Sequence, residues 1–170
     1  MGLAEDTTPE DFLAALALTT ELLCGPDAAF QNPRTIFKGL LTGLPIDMVS
    51  RTLLSASAIL IKDLQAKLGL SVTRTIDYVT ETGLDHGWGI TDPLHAVESR
   101  LLALTVTAVP DVAEAERQRY IEDASPVEII CRLAELVVAT SAIIDTRAQA
   151  VPGESIRSIF GLGEIVPDSL

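Results

Sequence analysis

Aromatic side chains are scarce in this chain: one Trp, two Tyr and four Phe among 170 residues. A sheet-rich core draws on aromatic and β-branched residues, so this scarcity argues against strands and for packed helices. Histidine is equally thin, with two residues, which leaves little material for imidazole chemistry. There are two cysteines, Cys24 and Cys131, each set among apolar neighbours. Neither has an adjacent His or basic cluster to generate a thiolate, and the expectation is two free, buried thiols. Basic residues are outnumbered, 12 against 24 acids, for a net charge of −12. Such a chain repels phosphate backbones and anionic membrane surfaces, so neither nucleic acid nor membrane is expected as a partner. The acids are scattered and do not form the dense rows of a nucleic-acid mimic.

Long apolar runs are missing too. The longest uncharged helical stretches are about ten residues, as from Thr52 to Ile61, where a membrane span needs about twenty. The first residues, Met1-Gly2-Leu3-Ala4-Glu5-Asp6, have no basic region followed by an apolar one, so no secretory signal is expected. Asp6 stands where a myristoylation signal after Gly2 would have Ser or Thr. A cytoplasmic location is the expectation that follows.

What is present is aliphatic. Nearly half the chain, 48%, is apolar and the mean hydropathy is +0.35. The surplus reads either as an apolar surface for self-association or as an Ala- and Leu-rich core. The length suits one compact unit or two small lobes sharing a core.

The second half also echoes the first at a spacing of 84 residues. Thr7 and Pro9 return as Thr91 and Pro93. Pro26, Asp27 and Ala29 return as Pro110, Asp111 and Ala113. Ser57, Ala58 and Ile59 return as Ser141, Ala142 and Ile143. Gln65, Ala66, Gly69 and Ser71 return as Gln149, Ala150, Gly153 and Ser155. The matches gather at turns and in one long helix, as an internal duplication would leave them.

Helix punctuation fits this pattern. Thr8-Pro9 opens a first helix and Gly25-Pro26 stops it. A short helix over 35–41 follows, then a long one from Pro45 to Leu68, ended by Gly69. Ser71 starts another that ends near Gly83. Three glycines within Gly83–Gly89 mark a linker, and Asp92-Pro93 restarts a helix that runs to Val109. A polar helix is expected over 110–122, a long one after the capping box Ser125-Pro126-Val127-Glu128, and a short one over 154–160. Past Gly161-Leu162-Gly163 the tail is expected to fray. The small-residue patches Ser55–Ala58 and Ala139–Thr140–Ser141–Ala142 read as a crossing of the two long helices, or as contacts with two different neighbours.

No catalytic or cofactor motif stands out. Asp92, His95 and Glu98 are three apart and could share a helix face for a metal, but Asp92 is better explained as a helix cap. Trp88, between two glycines, reads as a cover over the core, or alternatively as a clamp or anchor for a partner. Arg51, Arg100 and Arg132 interrupt apolar helices and read as surface residues, Arg132 with Glu128 four residues before it. Arg51 aligns with Glu135 at the 84-residue offset and could pair with it across the halves. Asp63, Asp77 and Glu81 lack a second catalytic partner.

The sequence therefore predicts a single all-α domain, 1–170, a helical bundle built from two similar halves. The halves are 7–82 and 91–166, joined by a Gly-rich linker 83–90. The function expected first is non-enzymatic: protein–protein interaction or a regulatory subunit that self-associates, with an unknown protein partner. The alternative is a small-molecule-binding bundle with an apolar pocket between the long helices, holding a small apolar ligand. The third is an enzyme or metal site near His86 and His95. His86, Trp88 and His95 are the interaction or ligand candidates; no catalytic, cofactor or metal residue and no cofactor is assigned.

Overall fold

A computed structural model describes residues 6–26, 28–107 and 114–162, with the side chains of 114–118 left aside. Asp27, Pro110, Asp111 and Ala113 of the sequence echo, and the tail from Gly163, lie outside the described residues. Among the described residues there are eight α-helices, one short 3-10 turn and no strand. The helices are α1 (Pro9–Cys24), α2 (Pro33–Leu41), α3 (Ile46–Leu68), α4 (Val72–His86), α5 (Pro93–Val106), α6 (Glu114–Asp123), α7 (Pro126–Arg147) and α8 (Glu154–Ile159). No helix among the described residues is long and apolar enough to cross a membrane.

The helix starts follow from local chemistry. Thr8, Asn32, Ser71, Asp92 and Ser125 each accept a backbone N–H of the first turn. Proline occupies the first turn of α1, α2, α5 and α7, where a missing N–H loses nothing. Gly69 and Gly87 end α3 and α4 in the left-handed conformation.

α7 is the axis of the molecule. Every residue from Arg132 through Asp145 is buried, so this stretch has no solvent face. A helix apolar around most of its circumference is stable only when others surround it. α1, α3, α4, α5 and α8 all pack on it, α3 most extensively. α3 is different, burying one stripe (Val49, Leu53, Ala56, Ser57, Leu60, Ile61, Leu64) while Leu54 and Ile59 face solvent. The two long helices thus occupy unlike environments.

The small patch on α7 serves several neighbours. A Cβ built on Gly83 of α4 would lie 3.0 Å from the Ala139 Cβ, so Ala139 belongs to the α4 contact. Ser141 instead bonds Ser155 of α8, with 2.7 Å between their hydroxyl oxygens. On α3, Ala56 and Ser57 are buried, whereas Ser55 is exposed and Ala58 only half-buried.

The end of α7 is fastened by Asp145, which is 2% exposed. Its carboxylate accepts the backbone N–H groups of Gly153 and Ser155 at 2.8 and 2.9 Å, and the Ser141 hydroxyl at 3.2 Å. These bonds bring the start of α8 against α1, where only glycine fits at position 153.

The linker is shorter than the sequence suggests. α4 continues one turn past Gly83 to His86, so the connector to α5 begins at Gly87. Its buried anchor is Ile90, fully enclosed, rather than Trp88, which is only partly buried.

Candidate functional site

Four helices and the loop after α2 line a cleft of about 670 Å³. α2 supplies one wall through Pro33, Arg34, Phe37, Lys38 and Leu41. The spacing of three and four residues places these on one face. The loop after α2 adds Thr42, Gly43 and Leu44, and Ile46 comes from the start of α3. α7 supplies the facing wall through Val127, Cys131, Arg132 and Glu135. Thr91, Asp92 and His95 come from the head of α5. Gly89 is what lets this last segment approach. With φ +82, it sits where an added Cβ would lie 3.1 Å from the Glu135 carbonyl oxygen. The chain then turns, buries Ile90 and delivers Thr91 and Asp92 to the cleft.

The cleft has two chemically unlike ends. Toward α3 it is apolar, and it borders a smaller chamber of about 50 Å³ lined only by Leu41, Leu44, Ile46, Val49, Val127 and Ile130. Toward α5 it is floored by buried charges. Arg132, Glu135 and Glu98 are each less than 10% exposed. Arg132 donates from Nη1 to Glu135 Oε1, and its Nε lies 3.5 Å from Glu98 Oε2. His95 Nδ1 is 3.5 Å from Glu135 Oε1. The Tyr120 hydroxyl and Glu128 complete the group on the Glu98 side.

Electrostatics in this cluster are unbalanced: two buried carboxylates face one guanidinium, with Glu128 a third acid beside them. Burial pushes the Glu135 carboxyl above the usual carboxylate range, against the opposing pull of Arg132 and His95. The neighbouring Glu98 carboxyl, and then burial, hold Glu128 above that range as well. Burial and Glu98 raise the Tyr120 phenol. Burial opposes the Arg132 charge, but the bond to Glu135 and the Glu98 carboxylate outweigh it, and Arg132 stays a cation. Four atoms of this cluster, Glu98 Oε2, the Tyr120 hydroxyl oxygen, Arg132 Nε and Glu135 Oε2, are buried without a hydrogen-bond partner among the described residues. Buried polar groups are nearly always paired, so such a concentration beside a cleft calls for a functional explanation.

The residues singled out in the sequence separate here. His95 lies in the cleft, as described. His86 is exposed at the end of α4, where its Nδ1 lies 3.1 Å from the Thr82 carbonyl oxygen. Its ring packs against Trp88 with centroids 4.2 Å apart. Neither His86 nor Trp88 lines the cleft. Asp92 caps α5, accepting the Leu94 N–H at 2.8 Å. Among the described residues no group of three His, Cys, Asp or Glu side chains is arranged to hold a metal.

Of the three arginines read as surface residues, Arg51 is exposed and bonds the Asp47 carbonyl. Arg100 reaches Asp77 at 2.7 Å on a half-exposed face. Arg132 corrects the reading. It is buried because α7 is central, and its partners are Glu135 and Glu98. Arg51 and Glu135 do not pair, since Glu135 is taken by Arg132. Arg34, Lys38 and the α2 wall escaped the sequence reading altogether.

No family model, curated protein or solved structure matches this chain.

Proposed function

We propose that this chain is a small-molecule-binding helical protein whose ligand occupies the cleft between α2 and the first turns of α7. The observation that carries the reading is the cleft itself: about 670 Å³, apolar at one end and floored at the other by buried, incompletely paired charges. Volume and lining match those of sites for amphipathic molecules, with a few polar groups fixing orientation. The pocket differs from the one expected in the sequence, since α2, rather than α3 along its length, forms the wall opposite α7.

The test uses a neutral apolar fluorophore, N-phenyl-1-naphthylamine. The parent chain should bind about one molecule with enhanced, blue-shifted emission. Cys131→Phe, which places a ring into the cleft from a half-buried position, should abolish that signal while circular dichroism and melting stay unchanged. Equal binding by parent and variant would overturn the reading.

Self-association is the second reading. Leu18 and Leu22 on α1, and Leu94 and Val97 on α5, are exposed at helical spacings. A homodimer in the cytoplasm remains part of this reading, and light scattering of the purified chain tests the dimer. We further infer an internal duplication. In its support, the offset of 84 carries Pro9 at the start of α1 onto Pro93 at the start of α5, and carries α3 onto residues that overlap α7. Superposition of 9–80 on 93–164 with matching order and hand is the check.

A further inference from the structure

We infer that the ligand presents a cationic, hydrogen-donating head, a primary ammonium or an amidinium on an apolar body, to Glu135 at the floor of the cleft. This rests on the small-molecule reading above and names its ligand class. Three observations carry it. First, Glu135 is 7% exposed, lines the cleft and has an Oε2 that accepts no hydrogen bond among the described residues. A carboxylate oxygen can only be satisfied by a donor. Second, the buried cluster behind the floor has more acid than base. Glu135, Glu98 and Glu128 gather around Arg132, and of these acids Glu135 lines the cleft, joined there by Asp92 at the head of α5. His95 also faces Glu135, with its Nδ1 3.5 Å from Oε1. Third, the opposite end of the cleft is apolar and continues into a chamber lined only by aliphatic side chains. A cationic head with an apolar tail matches both ends.

Arg34 and Lys38 on the α2 wall oppose a cation. Both are exposed, so water and salt screen them strongly, whereas the Glu135 carboxylate acts from a buried position of low effective dielectric. The buried group decides. An ammonium would add a charge attraction that opposes the burial holding Glu135 above the ordinary carboxylate range.

Three ten-carbon amphiphiles separate the alternatives: decylammonium, decanol and decanoate, each titrated calorimetrically and in competition with N-phenyl-1-naphthylamine at pH 7.5. Decylammonium should bind roughly tenfold more tightly than decanol, a charge-assisted bond adding about 1.4 kcal/mol. Decyltrimethylammonium, which carries the charge but no N–H, should fall between the two. Glu135→Gln should erase the ammonium preference, so that decylammonium and decanol bind this variant with equal affinity. Should that variant fold poorly, the parent alone suffices, because decylammonium should then raise its melting temperature more than decanol at equal concentration. Equal binding of all three, or tightest binding by decanoate, overturns the inference while leaving the small-molecule reading standing. Binding of neither the fluorophore nor any amphiphile overturns both.

Discussion

A carbon added at Gly153 would fall 2.3 Å from the Ala17 carbonyl oxygen, and the residue sits at φ +97. Clash and backbone strain therefore act together. Gly43, at φ +83 with open space around it, suffers only the second. Gly153→Ala should cost about 3 kcal/mol or more in urea denaturation, and Gly43→Ala about 1 kcal/mol. Comparable losses at both sites would show that α8 does not press on α1 as described. The same scale shows what the sequence discloses and what it hides. The cap residues Thr8, Asp92 and Ser125 act as their neighbours in the chain predict, because capping is settled within four residues. Arg132 does not, because burial depends on what surrounds α7. A signal was nevertheless present: Arg132 and Glu135 stand three apart in a helix otherwise uncharged from Ile129 to Ile144. Two opposite charges alone in such a run fit a buried pair better than a solvated face.

At the scale of elements, the connector between α4 and α5 shows how a glycine-rich segment becomes ordered. The indole was the natural anchor on size, yet Trp88 packs beside exposed His86 and is only partly buried. Ile90 is fully enclosed and would touch any Cβ placed on Gly83. Ile90→Ala should thus destabilise by about 2–5 kcal/mol, and Trp88→Ala by about 1–2 kcal/mol, less than a fully buried indole would. A Trp88 variant that melts below the Ile90 variant would reverse the assignment. Helix positions were legible because apolar spacing, prolines and caps are local. The cleft was not, because it joins α2, α5 and α7, which lie far apart in the chain and share no motif.

For the molecule as a whole, the raised carboxyls set a direction for stability against pH. Burial lifts both Glu135 and Asp145 above the ordinary carboxylate range, in the latter case against the backbone N–H bonds of Gly153 and Ser155. Groups whose native pKa is raised hold protons in the folded state that the unfolded state has released. Their contribution is complete below the ordinary carboxylate range and is lost as pH climbs through the raised native values. The net charge of −12 acts in the same sense, since self-repulsion falls as acids are neutralised. Melting temperature should therefore be higher at pH 5 than at pH 8, with Glu135→Gln flattening the slope. A melting temperature that drops between pH 7 and pH 5 would contradict this.

The enclosure of α7 also divides the molecule in time. Its amides from Arg132 through Asp145 have no outer face from which to fray, so their hydrogens should exchange with solvent only when the whole fold opens. α2 packs chiefly against α1 at the periphery and should exchange through much smaller, local openings. The cleft then joins a wall expected to open only with the whole fold to one expected to open locally. A bound molecule should slow deuterium uptake along Pro33–Leu41 while leaving α7, already at the limit set by global unfolding, nearly unchanged.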